Sequence, residues 1–516
     1  IVSFGGDGAF GSVTIDRGRL IGLAGSRIAA SRITVAPTAT FGSAGTVTGD
    51  IAVAGTLSPG ASPGTMTVIG NVSLAAGSTS LFELTPTVSD QLRLSGTLTI
   101  TPGATLTLTG TRPLTPGVTL DLIMAEGGIN GTYSTINKPS TIAGFLSQSA
   151  TRLQILGTFA TNPAFAPQIN ASIDYLNTIL IAGQASTELL AAVPNLLTAG
   201  GSANSAAFQT LSPEAYASAS QLGTEQALTI VDAARSLVMT QPRRTGLFTF
   251  GQALTDHRRL GGNAVQGTSL ARSETYGGLS GVGIAHQTGW VGAFVGYLDG
   301  RQTIAGLGAR TETDGVIAGV QGQLRFGPVQ FDALAAYSDG TAQTRRTALS
   351  APVIGRYDLH SWVGNLRASF TLPMRGNWLV RPTVGLTGIS TVRGATQEDG
   401  AGPFALSVAR EQTMRWMVDG DVSLLGGQSD TARLHPSLSF GIRHQFDGRA
   451  SAATASFHDV ALTYRVPGVT REATQVTGRV GFRYDLNARL DLFAVYGAEV
   501  GNEARHNASV GLRMAL

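Results

Sequence analysis

Ala504-Arg-His-Asn-Ala-Ser-Val-Gly-Leu-Arg-Met-Ala-Leu516, the last stretch of the chain, alternates strictly. Ala504, His506, Ala508, Val510, Leu512, Met514 and Leu516 share one face of an extended segment, and Arg505, Asn507, Ser509, Gly511, Arg513 and Ala515 share the other. Successive side chains of a strand point to opposite faces, so this strand is apolar on one side and polar on the other. The division recurs upstream. Val476, Gly478, Val480, Phe482 and Tyr484 oppose Thr477, Arg479, Gly481, Arg483 and Asp485; Met414, Trp416, Val418, Val422 and Leu424 oppose Arg415, Asp419, Asp421 and Ser423. A period of two with Arg and Asp on the minor face, repeated over the C-terminal half, predicts a membrane barrel around a wet lumen.

Twelve such segments are expected, near 244–254, 273–287, 289–301, 312–326, 328–345, 356–371, 377–394, 410–425, 432–447, 471–485, 489–501 and 503–516. The count is even, as single-chain bacterial barrels require. Short connections at Thr288-Gly289, Gly327-Pro328 and Asn487-Ala488 alternate with longer polar ones at 255–272, 302–311, 395–409 and 448–470. Short periplasmic turns and long outer loops are the usual asymmetry. A soluble β-sandwich with one solvated face rarely sustains this pattern over so many long strands.

Composition agrees. Gly is 67 of 516 residues and charged residues are 13%, which suits strands and turns. Cysteine is absent, which removes disulfides, thiol catalysis and thiolate metal sites together, and leaves nothing to lock the chain in an oxidising periplasm. The net charge of +3 does not argue for nucleic acid. No apolar run approaches the ~20 residues of a membrane helix. The chain opens at Ile1 without Met or a signal peptide, which points to a processed form or a fragment.

Residues 1–160 are written differently. Strands of four to six residues alternate with Gly or Ser-Pro-Gly corners, as in Gly45-Thr-Val-Thr-Gly-Asp-Ile-Ala-Val-Ala-Gly55 and Met66-Thr-Val-Ile-Gly-Asn-Val-Ser-Leu74. That predicts stacked rungs of a β-solenoid, with 80–124 as closing rungs and a cap. Gly55-Thr-Leu-Ser58-Pro59-Gly60, followed by Ser62-Pro63-Gly64-Thr65 and Glu83, resembles the passenger-associated repeat of classical autotransporters, the monomeric type V secretion proteins. The stretch from Ser89-Asp90 to Gly128-Ile-Asn-Gly131-Thr-Tyr133 is similar to the end of a passenger β-helix. Repeat, helical connector and twelve-strand barrel in that order make the resemblance cover nearly the whole chain. It implies a right-handed parallel β-helix fragment at 1–160 with an autochaperone-like cap, a connector at 161–243 with a helix in the lumen, and an outer-membrane barrel at 244–516.

The connector has its own signals. Ile173, Leu176, Asn177, Leu180 and Ile181 keep helical spacing, an apolar cluster at Glu188–Leu197 is broken by Pro194, and Gly200-Gly201-Ser202 reads as a flexible joint. Ser212 before Pro213 predicts a helix start, and Gln241-Pro242 its end. By position, 224–240 would be the lumen helix of the resembling family. Asp232 and Arg235, three apart on one helical face, would then meet lumen charges such as Arg415, Asp419, Arg479 or Arg483.

Catalytic signals are weak. Gly60-Ala-Ser62-Pro-Gly64 matches G-x-S-x-G, but proline follows the serine and no helix comes next. His257, His286, His360, His435, His444, His458 and His506 show no metal-ligand spacing on a helix, and Asp256-His257-Arg258-Arg259 reads as an outer loop or strand mouth. No P-loop pattern occurs, no Asn-Asn pair marks self-cleavage in the lumen helix, and no cofactor or metal is expected. One short motif carries function. Ser509, Gly511, Met514 and Leu516 keep the spacing of an outer-membrane insertion signal, with Met and Leu where the family usually has aromatics.

The resemblance implies a non-catalytic translocator that inserts in the outer membrane and delivers its own N-terminal passenger to the cell surface. Expected partners are outer-membrane lipid, the barrel assembly complex and periplasmic chaperones, with no nucleic acid and a monomeric state. Two alternatives stay open: a surface-anchored esterase or protease whose catalytic part lies upstream of Ile1, and a porin- or adhesin-like barrel with a periplasmic domain.

Overall fold

The computed structural model describes residues 1–60, 63–239, 245–400, 402–429, 431–447 and 450–516. Ser62, Thr240, the expected helix end at Gln241-Pro242 and the expected barrel start at Arg244 lie outside these residues. The chain forms two compact units, Ile1–Pro163 with Ile173–Ser205, and Ala164–Ser172 with Ala206–Leu516. The connector is shared between them and makes no third body.

The first unit is built of parallel sheets. Val13, Ile33, Ile51, Val72, Leu98 and Ile129 are register partners from one rung to the next, and so are Val35, Val53, Leu74 and Ile100. Alternate residues of these short strands point inward, so the columns fuse into one buried apolar stack. Rung length grows along the chain, from Thr40 opposite Thr56 to Thr105 opposite Thr135. That drift makes the repeat loose in sequence. The stack ends where Arg152–Gly157 pairs antiparallel with both Thr119–Ala125 and Gly144–Gln148. Helix α1 (Pro167–Ile181) follows, with Asn177 bonded both ways to the backbone of Phe159 at 2.8 and 2.9 Å. Helix α2 (Thr187–Ala192) is capped by Ser186, whose hydroxyl accepts the Leu189 N–H. The Gly200-Gly201-Ser202 joint forms a turn, with Gly201 at φ +80 and Thr198 bonded to Ser202.

The Ser-Pro-Gly corner has a physical clasp that sequence reading missed. Asp90 is buried, and its carboxylate accepts the Gly64 N–H at 2.9 Å and the Glu83 N–H at 2.8 Å. Gly60 sits at φ +82, and a Cβ there would fall 2.1 Å from Asp90 Oδ1. Burial raises the Asp90 carboxyl above its ordinary range, and the two backbone bonds pull it back. Asp90→Ala leaves two backbone donors unpaired. It is expected to cost about 2–4 kcal/mol and to open the 60–64 corner to limited proteolysis of the full chain, with Asp90→Asn retaining much of the protection.

The second unit contains a closed antiparallel barrel of twelve long strands: β1 (Gly246–Leu260), β2 (Ala271–His286), β3 (Gly289–Ile304), β4 (Ala309–Phe326), β5 (Val329–Ala348), β6 (Ala351–Phe370), β7 (Trp378–Arg393), β8 (Glu411–Leu425), β9 (Leu434–Gln445), β10 (Thr474–Asp485), β11 (Leu490–Val500) and β12 (Ala504–Ala515). It closes between β1 and β12, from Phe248 opposite Ala515 to Arg259 opposite Ala504. Val510, Leu512 and Met514 point out and are exposed, whereas Arg505, Ser509 and Arg513 point in and are buried.

Several strands run further than expected. β5 and β6 continue to a tight turn at Leu349-Ser350, with Leu349 at φ +56, where a loop over 346–355 was expected. On β5 the outward residues are Val329, Phe331, Ala333, Ala335 and Tyr337, then Asp339, Thr341, Gln343, Arg345 and Thr347. The first five suffice to cross a bilayer, which needs ~9–11 tilted residues. Beyond Tyr337 the strand leaves the lipid, so its outer face turns polar and its apolar signature disappears. Asp256-His257-Arg258-Arg259, read as an outer loop or a strand mouth, forms the loop-end mouth of β1.

The two longest connections also fold. Thr396–Gln397, Leu406–Val408, Ala450–Phe457 and Tyr464–Thr470 pair into a separate four-stranded antiparallel sheet at the loop end of the barrel. Leu406, Val408, Ala453, Ala455, Phe457 and Val466 are buried in it.

Candidate functional site

Helix α4 (Glu214–Met239) follows the short helix α3 (Ser205–Gln209) and fills the barrel lumen. Ser212 accepts the Glu214 N–H at 3.2 Å and Pro213 precedes the first turn, so the start is the one its residues dictate. From Leu211 through Leu237 nearly every residue is buried. A helix polar enough to carry Glu225, Asp232 and Arg235 can be buried only if its surroundings pair those charges.

The lumen wall does so on one side. Asp232 accepts from Arg505 at 2.6 Å and from Arg479, with Arg443 at 3.6 Å. Glu225 accepts from Arg471 at 3.2 Å, with Arg505 at 3.8 Å and Arg258 at 4.0 Å. Arg235 donates to Asp421 at 2.7 Å and lies 3.5 Å from Asp419. Glu499 ties the guanidiniums together, reaching Arg443, Arg471, Arg505 at 3.0 Å and Arg258 at 3.4 Å. Of the four wall charges named from sequence, Arg479 and Asp419 meet the helix. Arg415 donates instead to Thr413 and Ser451, and Arg483 lies beside Asp485.

The other side is apolar, where the sequence led to the expectation of a wet lumen faced by Arg and Asp. Phe248, Phe250, Trp290, Phe294, Leu298 and Leu334 pack with Leu228, Val231, Ala234 and Leu237 of α4. Alternation along β1 and β3 is preserved, but the aromatic set faces in. The period fixes that two faces differ and leaves open which one is inside.

The small sheet covers the N-terminal half of α4. Tyr464 donates its hydroxyl proton to the Leu211 carbonyl at 2.7 Å, and the Val469 N–H donates to Ser218 at 3.1 Å. Glu398 accepts from Tyr216 at 2.7 Å and from Arg346 Nε at 2.6 Å. These contacts were not legible, because Glu398, Tyr464 and Val469 stand in the connections between barrel strands, where the sequence shows no alternation.

The sequence-derived insertion residues fall on β12. Ser509 faces the lumen and bonds Ser236 at 3.1 Å; Gly511 lies flat against Phe493; Met514 and Leu516 face outward. Gly55, Ser58, Pro59, Gly60, Pro63 and Gly64 belong to the first unit, where Gly60 and Gly64 meet the Asp90 carboxylate. Among the described residues no group of three His, Asp or Glu is placed to hold a metal.

Residues 249–497 match the family model described as autotransporter beta-domain. Among solved structures, the chain is similar to the translocator domain of the autotransporter NalP from Neisseria meningitidis (13% identity, 57% of this chain and 98% of that one, TM-score 0.47). It is also similar to the transport unit of the autotransporter AIDA-I from Escherichia coli (12% identity, 55% and 98%, TM-score 0.38) and to the beta domain of the Bordetella autotransporter BrkA (14% identity, 52% and 100%, TM-score 0.38). No curated protein matches the sequence.

Proposed function

We propose that this chain, an autotransporter by its β-domain, carries its own residues 1–205 outward through the barrel and then rests with α4 as the plug of its lumen. The β-domain is a type V secretion translocator of the outer membrane, and as a transport unit it is not catalytic. The observation that carries the finer reading is the course of α4. It runs through a closed barrel from the end bearing the long loops, at Glu214, toward the end where β1 begins and β12 stops. Short turns mark the periplasmic end of such barrels and long loops the outside. The chain preceding Glu214 therefore leaves the barrel on the outer side.

Residues 1–160 act in this reading as the passenger's C-terminal part, folding rung by rung outside. Ser509, Gly511, Met514 and Leu516 act as the insertion signal, offering a strand edge to the assembly complex before β1 pairs with β12. Periplasmic chaperones hold the unfolded chain, and the barrel works as a monomer surrounded by lipid.

The test is protease shaving of intact cells expressing the chain behind a signal peptide, with an epitope tag before Ile1. The expected result is loss of the tag while a core of about 30 kDa, sized from twelve strands and their loops, survives in the membrane. A tag protected until the outer membrane is broken would place residues 1–160 in the periplasm and favour a plain barrel with an inner domain.

A further inference from the structure

We propose that the turn end of the lumen is a guanidinium-lined docking site for carboxylates of this same chain, entered before α4 reaches its seat. This rests on the translocator reading, because the threading chain supplies the carboxylates.

At that end a cavity of about 400 Å³ is lined by Arg325, Arg381, Arg483, His435, Gln428 and Ser429, and no carboxylate lines it. Two acids stand close by, and one of them is held by the mouth's own His435 and Arg483. Asp332 accepts from the amides of Gln323 and Gln330 at 3.0 Å each, and Asp485 accepts from His435 at 2.8 Å and pairs with Arg483 at 3.1 Å. The described residues of the turns at this end add Arg375, Arg433 and Arg489, all exposed; Asp430, in the same turn as Arg433, lies outside the described residues. Among the described residues, guanidiniums at the mouth outnumber the carboxylates beside them, and such an excess of positive charge in a concavity concentrates anionic groups.

Its position identifies the anion. Arg325, Arg381 and Arg483 occupy lumen-facing positions, so bilayer lipid does not reach them. Arg381 also lines the adjoining internal cavity, with Arg235, Arg367, Asp421 and Arg479. Going inward, guanidiniums therefore continue from Arg325, Arg381 and Arg483 to Arg367 and Arg479, then to Arg443 and Arg505, then to Arg258 and Arg471. α4 already uses the upper levels, with Asp232 on Arg479 and Arg505 and Glu225 on Arg471. Residues 164–239 carry five carboxylates (Asp174, Glu188, Glu214, Glu225, Asp232) and one arginine (Arg235). A segment of that charge entering from the turn end meets the mouth first. Each carboxylate then exchanges one guanidinium level for the next, and no step leaves a buried carboxylate without a partner.

The absence of native cysteine makes a direct test clean. Ser429→Cys at the mouth and Ala227→Cys on α4 are combined in the full chain. They are cross-linked by a short bis-maleimide at intervals of a pulse–chase, alongside surface exposure of the N-terminal tag. The expected result is a cross-link that appears early and is chased away as the tag reaches the surface. Changing Arg325, Arg381 and Arg483 together to Gln should weaken it about fivefold and delay the tag, whereas the same three changed to Lys should preserve both. Heat-modifiable gel mobility verifies that each barrel has folded, and Arg325→Gln alone serves if the triple variant has not. An equally strong cross-link in the Gln variant, or a Lys variant as weak as the Gln variant, overturns the docking site and leaves the translocator intact. A wild-type tag that never reaches the surface overturns both readings.

Discussion

Replacing Arg505 by leucine is expected to destabilise the barrel by about 3–5 kcal/mol, the largest effect of any single charge removal in the molecule. Arg505 is fully buried. Its guanidinium lies 2.6 Å from Asp232, 2.6 Å from Asp256 and 3.0 Å from Glu499, and it also donates to Thr229 at 3.3 Å. Asp232 and Glu499 retain other arginines, so the leucine variant injures Asp256 most, leaving a buried carboxylate beside Glu225 and Asp232 without its counter-charge. Arg505→Leu/Asp256→Asn should therefore recover a substantial part of the loss. Arg356→Leu, which breaks an exposed pair with Asp399 at 3.2 Å, should change stability by less than about 1 kcal/mol. Urea titration of the refolded chain in detergent micelles, read by tryptophan fluorescence, separates these cases. A leucine variant as stable as wild type would mean that the charges around Asp256 are solvated, and α4 would then be held by its apolar face alone.

How much of this was legible in the sequence follows from where the solvent changes. Inside the bilayer the outward face must be apolar, so β5 announces itself from Val329 to Tyr337. Above the lipid the outer face turns polar, and the expected strand, 328–345, stops three residues short of Ala348. The small sheet escaped for a related reason. Ala450-Ser-Ala-Ala-Thr-Ala-Ser-Phe457 packs small residues and shows no alternating pattern of bulk. Arg443, Arg471 and Arg505 could be placed on inward faces by parity, but their convergence on Glu499 depends on the curvature of a closed barrel, which no local pattern encodes. Asp90 was visible only as part of a repeat. Its clasp on Gly64 joins residues 26 apart through a rung whose length varies, so no fixed spacing signals it.

Gly468→Val is expected to open the loop end of the pore while leaving the barrel folded. A Cβ at 468 would stand 2.6 Å from both the Ala217 carbonyl carbon and the Ser218 nitrogen, atoms of the α4 backbone that cannot swing aside. The strand Tyr464–Thr470 must therefore retreat. Its retreat breaks the Val469–Ser218 bond of 3.1 Å and the Tyr464–Leu211 bond of 2.7 Å. α4 itself stays seated, because Glu225 and Asp232 are held by the wall and not by the small sheet. What is lost is cover over the N-terminal half of the helix. Conductance of the purified chain in a planar bilayer should then rise severalfold, roughly the effect of forfeiting two hydrogen bonds and their packing in a two-state closure. Gly478→Val is the control, since a Cβ there meets nothing within 4 Å. If Gly468→Val conducts no more than Gly478→Val, α4 alone seals the lumen and the sheet's role is to hold the helix in register. If it conducts more, closure is shared. The two long loops then have to stand aside whenever the lumen carries moving chain, and they can close only over a docked helix, because Leu211 and Ser218 supply half of each bond.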